Sequence, residues 1–182
     1  MSAPYEEKNF APLKGLHLRV TGGGRLTERI KVLDHYCFPI KYQESYYSNY
    51  VRSCLHPFNQ VAFFHDLLVG SITCRLEKAE EEGALNLYIM TIGVLEPYRN
   101  MQIGARLLQA VLTAVYHDAK VRIAAVTLHV QVGSPALAFY RRFNFEEVRV
   151  VEKYYSDLEE CNAILLRRVV PQPFLESHKK SR

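Results

Sequence analysis

Ile103, Leu107, Leu108, Val111, Leu112 and Val115 recur at helical spacing, which predicts a helix with one apolar face over about three turns. Ahead of it, Leu85 to Val94 is apolar at odd and even positions alike, as suits a strand covered on both faces in the middle of a sheet. Leu16 to Val20 alternates like a short strand. A helix is expected from Thr27 to Tyr36, ended by Phe38-Pro39 because proline disfavours helical geometry in the residue before it. A second helix follows from Glu44 to about Ser53. Gln60 to His65 and Leu68 to Glu77 are joined by too few residues for anything but a hairpin, so they predict antiparallel strands. Ile123 to Val132 reads as a further strand, and Ala136, Phe139, Tyr140 and Phe143 mark one face of a short helix. Two last strands are expected over Glu147 to Tyr155 and Ala163 to Val169. Pro171 and Pro173 are expected to stop regular structure. The order β-α-α-β-β-β-α-β-α-β-β predicts a single-domain α/β fold over residues 16–170, with an extension at 1–15 and a basic, mobile tail at 171–182. Its sheet is mixed and mostly antiparallel, with helices on both faces.

With 182 residues, nearly half of them apolar, the chain can bury one core without disulfides or metals. No apolar run approaches the roughly 20 residues of a membrane span. The first fourteen residues carry charges and proline in place of a signal-peptide core, so a cytoplasmic location is expected. Cys37, Cys54, Cys74 and Cys161 stand far apart, without the close pairing of zinc or redox motifs. A net charge of +4, scattered except at His178–Arg182, does not indicate a dedicated nucleic-acid reader, though weak attraction to an RNA-rich body such as a ribosome is compatible with it. Gly22-Gly23-Gly24 lacks the Lys-Ser/Thr of a P-loop and the spacing of a dinucleotide fingerprint, and reads as a turn.

The stretch from Leu87 to Ala105 takes a strand through a tight turn into a helix. Such a junction presents free backbone N–H groups and the positive end of the helix dipole, a seat for a pyrophosphate. On the turn alone, an ordinary connection is the commoner explanation. Its Arg99-x-x-Gln102-x-Gly104 resembles the Gln/Arg-x-x-Gly-x-Gly/Ala turn of the GNAT acetyltransferases. Leu87-Tyr88-Ile89-Met90-Thr91, Phe38-Pro39-Ile40-Lys41-Tyr42, Leu128-His129-Val130-Gln131, and Phe139 to Phe145 followed by Tyr154-Tyr155 extend the likeness in order over Leu16 to Val169. Together they resemble the NatE-type N-terminal acetyltransferases within that family.

The resemblance implies acetyl-CoA as cofactor and protein N-termini, those of nascent chains, as substrate. It implies NatA-type auxiliary and catalytic subunits at the ribosome as partners. The implied cofactor residues are Ile92, Gly93, Val94, Arg99, Asn100, Met101, Gln102, Ile103, Gly104, Ala105, Ser134 and Tyr140. The implied substrate residues are Phe38, Pro39, Ile40, Tyr42, Met90, Tyr154, Tyr155 and Leu158, an aromatic and aliphatic pocket that suits a first residue such as Met. Tyr88 and His129 would share the base work through ordered water, and Tyr140 would give a proton to the departing thiolate. The chemistry needs such a base, because an α-amine with a pKa near 8 is largely protonated at neutral pH. His129, ordinarily near 6.5, can take a proton as it stands; Tyr88, near 10, can do so only where its surroundings favour the phenolate. Taken singly, each of these residues is more often core. Alternation along the strand predicts that Tyr88, Met90 and Ile92 share one face. Gly93 is expected to permit a local bulge, with a backbone N–H around Ile92 to Val94 as the oxyanion donor.

Two departures qualify the likeness. Gln102 stands where the family turn carries Gly, and a side chain there costs on the order of 1–2 kcal/mol if the backbone takes positive φ, which would weaken CoA affinity. Val132 to Ala136 is one residue shorter than the family pattern and lacks its Asn, although Ser134 and Pro135 are well placed to begin a helix. A non-catalytic subunit that keeps the fold is therefore the alternative, with an acetyltransferase for lysines or small amines a weaker third. A lysine amine, pKa about 10.4, is harder to deprotonate than an α-amine.

Overall fold

The structure, a computed structural model, describes residues 5–22, 24–53, 56–156 and 160–177. Gly23, Cys54, Leu158 and the basic tail from His178 lie outside the described residues. The strands are β1 (Leu16–Val20), β2 (Gln60–Phe64), β3 (Leu67–Lys78), β4 (Leu85–Val94), β5 (Ile123–Gln131), β6 (Glu146–Val151) and β7 (Ala163–Arg168). They form one sheet in the order β1-β2-β3-β4-β5-β7-β6. Among the described residues only β4 and β5 run parallel, and every other neighbouring pair is antiparallel. The helices are α1 (Thr27–Cys37), α2 (Glu44–Tyr46, running on as a π-helical turn over Tyr47–Arg52), α3 (Ile103–His117), α4 (Ala136–Arg141) and α5 (Pro173–Ser177).

Each face of the sheet has its own core. On one, Leu107, Leu108, Val111, Leu112 and Val115 of α3 are fully buried against Val69, Ile72, Leu87 and Val126. Each such side chain is worth about 1.5–3 kcal/mol when removed from water, so this helix is the main fastening of that face. On the other, Ile30 and Leu33 of α1 meet Tyr46, Tyr47, Val51, Val61 and Phe63. Asp34 of α1 is 1% exposed in this second core, without a hydrogen-bond partner of good geometry. Burial pushes its carboxyl up to about 7, although the nearby Tyr47 hydroxyl favours the ionised form.

The central strand carries an irregularity the pattern does not announce. Thr73 faces Thr91 and Cys74 faces Ile89, so Met90 is an extra residue on β4, a β-bulge. Leu87 and Ile89 before it, and Ile92 and Val94 after it, pack on the α3 side. Met90 packs on the α1 side, and Thr91 is hydrogen-bonded there to Tyr46. Ile92 thus does not share a face with Tyr88 and Met90, as strict alternation predicts, because the inserted residue resets the alternation. Nor is the bulge at Gly93. That glycine is required for space: a Cβ there would lie 3.0 Å from both Cys37 Cβ and Phe38 Cζ.

Pro173 begins α5 instead of ending regular structure, since the first helical position needs no N–H. Gln172 ties this segment to the α3–β5 connection, accepting from Ile123 N (2.8 Å) and donating to Val121 O (2.8 Å). At the other end, Tyr5 stacks on Tyr116 of α3 with ring centroids 4.5 Å apart. β6 ends at Val151, four residues before the predicted strand end, where Lys153 takes φ +52°.

Candidate active site

β4 and β5 pair from Leu85 and Ile123 only as far as Tyr88 and Thr127. β4 then continues to Val94 and β5 to Gln131 without pairing, so the sheet opens into a cleft between two parallel strands. Tyr88 closes the paired part, and His129 lies two residues beyond its partner Thr127, on the same face of β5. The Tyr88 hydroxyl lies 3.0 Å from His129 Nδ1 and 2.9 Å from the Tyr154 hydroxyl. The Tyr154 ring stacks on the imidazole, centroids 4.1 Å apart and 16° from parallel. The early end of β6 frees Tyr154 for this position. Arg75 of β3 lies over the Tyr88 ring at 4.8 Å and is ion-paired with Glu77.

Partial burial, helped by Arg149 and Arg75, lowers the His129 pKa against the opposing pull of Glu77. The ring is therefore neutral at pH 7 and able to accept a proton. Burial raises the Tyr88 pKa, and its hydrogen bond to Tyr154 adds to the rise, so the surroundings do not favour a phenolate. Of the two expected base residues, the environment suits His129 and leaves Tyr88 a protonated phenol between the histidine and Tyr154.

Phe38, Tyr42 and Tyr46 form an aromatic run on the α1 side, with Phe38 edge-on to Tyr42 at 5.7 Å and Tyr42 tilted on Tyr46 at 4.6 Å. Tyr46 is anchored by a 3.0 Å hydrogen bond to Thr91. Pro39 and Ile40 are exposed beside this run, and Tyr155 stands edge-on to Tyr154. Met90 packs against the same core.

A cleft of about 500 Å³ lies at the head of α3, lined by Val94, Arg99, Asn100, Gln102, Ile103, Gly104 and Ala105, with walls from α4 and from residues near the amino terminus. Asn100 and Gln102 both take positive φ, 64° and 60°. The second is the strain expected at a residue with a Cβ. Gln102→Gly is expected to stabilise the protein by about 1 kcal/mol in urea denaturation; a loss of stability would mean that the Gln side chain makes contacts worth more than the strain. Ser134 does not line this cleft; its Oγ accepts from Ala136 N at 3.2 Å just ahead of α4, whose N-cap position is Pro135. Tyr140 lies outside the lining as well, buried between Phe139 and Phe145, and burial raises its pKa. Met101 packs at the edge of the α3-side core.

Arg75, Tyr46, Lys8, Phe10 and Arg142 join these sites without having been singled out from sequence. Arg75 carried a signal, as the first charge after the uncharged run Leu67–Cys74; the others reach the site only through tertiary packing.

A chain with this fold, in which a parallel strand pair opens beside the turn at the head of α3, matches known proteins in sequence and structure. The model of the acetyltransferase (GNAT) family matches residues 27–145. The chain belongs to that family, and within it to the N-alpha-acetyltransferases. It is 31% identical to N-alpha-acetyltransferase 50 of Danio rerio over 80% of this chain and 84% of that protein. It is 30% identical to the probable N-acetyltransferase san of Drosophila melanogaster over 79% and 75%. Among solved structures, Arabidopsis thaliana Naa50 in complex with the bisubstrate analogue CoA-Ac-MVNAL superposes with a TM-score of 0.71 at 34% identity, covering 85% of this chain and 98% of that one.

Proposed function

We propose that the protein transfers acetyl from acetyl-CoA to the N-terminal α-amine of proteins and favours termini that begin with Met followed by an apolar residue. The observation that carries this reading is the hydrogen bond between His129 and Tyr88 where β4 and β5 separate. The Met preference is supported by the aromatic run from Phe38 to Tyr46 and by likeness to a structure whose bound analogue carries the peptide MVNAL.

The pantetheine arm of acetyl-CoA is a chain of amides, and it suits the unpaired backbone of β4 beyond Tyr88. Its pyrophosphate suits the N–H groups at the head of α3. The amine loses its proton through water to the Tyr88 oxygen as Tyr88 passes its own to His129 Nδ1, so no phenolate has to persist. The free lone pair attacks the thioester carbonyl. A backbone N–H of β4 between Ile92 and Val94 stabilises the oxyanion; as the C–S bond breaks, the second proton of the attacking nitrogen passes through water to the departing sulfur, to which the Tyr140 hydroxyl donates a hydrogen bond while keeping its own proton. Burial pushes the Tyr42 phenol up to about 12, which keeps it a donor toward the peptide backbone.

Incubation with acetyl-CoA and a library of short peptides varied at their first two residues tests the reading. Met-Leu-like peptides are expected to be acetylated fastest, and equal rates across first residues would remove the pocket assignment. The strained Gln102 turn favours one alternative, a non-catalytic subunit of an N-terminal acetyltransferase complex. Acetyl-CoA binding no tighter than millimolar would make that alternative the better account. Work on nascent chains in the cytoplasm beside NatA-type subunits is part of the same proposal, and co-purification with ribosomes checks it.

A further inference from the structure

Three basic side chains, Lys8, Arg99 and Arg142, and no acidic one line the cleft at the head of α3. Lys8 is set apart by its origin, ahead of the stretch that the family model spans. It belongs to a strap, residues 5–11, fixed along α3 at successive points. The Tyr5 hydroxyl meets Thr113 Oγ1 at 2.9 Å, and the Lys8 backbone N–H donates to Gln109 Oε1 at 3.1 Å. The Arg106 guanidinium donates to Ala11 O and lies over the Phe10 ring at 4.9 Å. The contacts thus step from the carboxyl end of α3 toward its amino end, where the turn through Asn100 and Gln102 sits. They bring Lys8 and Phe10 into the lining of the cleft. The Lys8 side chain is exposed, rests over Phe143 at 5.2 Å, and has no carboxylate partner among the described residues.

A cation held over a cleft that already contains two arginines and a helix amino end raises the local positive potential. The adjoining phenyl ring offers an apolar surface. A ligand that satisfies both carries phosphate next to a flat aromatic group, which is the chemistry of the phosphorylated adenosine end of CoA. We propose that the amino-terminal strap is part of the cofactor site, with Lys8 contacting a CoA phosphate and Phe10 walling the nucleotide end of the cleft. This rests on acetyl-CoA being the cofactor. It goes beyond that reading by adding binding residues from outside the matched domain.

Calorimetric titration of the full chain with CoA and with dephospho-CoA, which lacks the 3′-phosphate, tests it. Lys8→Ala is expected to weaken CoA binding about tenfold, the scale of one charge-assisted hydrogen bond at a partly exposed site, and Lys8→Arg to restore most of the loss. Phe10→Ala is expected to weaken binding as well, and the KM for acetyl-CoA should rise with each loss while the KM for peptide does not. A Lys8→Ala effect that vanishes with dephospho-CoA assigns Lys8 to the 3′-phosphate; one that persists assigns it to the pyrophosphate; either supports the proposal. If Lys8→Ala and Phe10→Ala bind CoA as the wild type does, the strap has no part in the site and the acetyltransferase reading stands. A wild-type chain that fails to bind CoA overturns that reading and the strap with it.

Discussion

Replacing His129 by alanine is expected to lower kcat by about 10²–10⁴-fold, the usual contribution of a positioned acid–base group. Acetyl-CoA affinity should hold, because the imidazole lies on the Tyr88–Tyr154 side of the opening, away from the lining of the cleft at the head of α3. His129→Phe keeps a ring against Tyr154 and should be equally slow, which separates loss of the proton acceptor from loss of packing. The pH profile gives an independent readout. Burial holds the His129 pKa below its ordinary value of about 6.5, so the acid limb of kcat in the wild type is expected to have its midpoint under that pH. Both variants should lack the limb. A turnover number unaffected by either substitution would take His129 out of the mechanism.

Asp34→Asn is expected to stabilise the protein above neutral pH. The folded-state pKa of this carboxyl, about 7, lies above the roughly 3.9 of an unfolded chain, so between those values the folded protein holds a proton that the unfolded one has released. Stability from this group is fully present at low pH and is lost as pH rises through 7. At about 1.4 kcal/mol per pH unit, the loss amounts to a few kcal/mol by pH 8, and the Asn variant should escape it. Urea denaturation of both proteins at pH 5 and pH 8 isolates the effect. If the difference between wild type and variant does not change with pH, Asp34 is ionised without cost and burial has been overcome by Tyr47.

Why some elements were legible and others not follows from how each encodes its position. β1 and the start of α1 have the bounds their patterns predict, and α3 extends the predicted apolar face to fifteen residues, because one-sided periodicity leaves a helix or strand no other way to bury its face; β4 has its predicted bounds because an apolar run of that length must be covered on both sides. The bulge at Met90 was silent for the opposite reason. β4 is apolar on both faces, so a one-residue insertion exposes nothing polar and leaves no mark in the sequence. Tyr154 and Tyr155 misled in another way, since their high β propensity suggests strand continuation whereas the turn at Glu152-Lys153 turns them into the site. Within the site, Tyr88 and His129 were legible through resemblance, and their mutual hydrogen bond only through the parallel register that sets them on one face. Lys8 and Phe10 belong to a stretch with no periodicity, and nothing local says what they touch.

The short paired margin between β4 and β5 has a mechanical consequence. Among the described residues, four rungs, from Leu85 to Tyr88, are the only ladder linking a four-stranded leaf to a three-stranded one, and past them two backbone edges stand open inside the molecule. A bound amide-rich ligand would act there as a missing rib, closing the seam and coupling the leaves. Amide exchange at Ile89 to Val94 should therefore slow far more on cofactor loading than exchange in β2, which has neighbours on both sides throughout. The sheet is in this sense one strand short, and an amide-rich ligand in the seam would complete it.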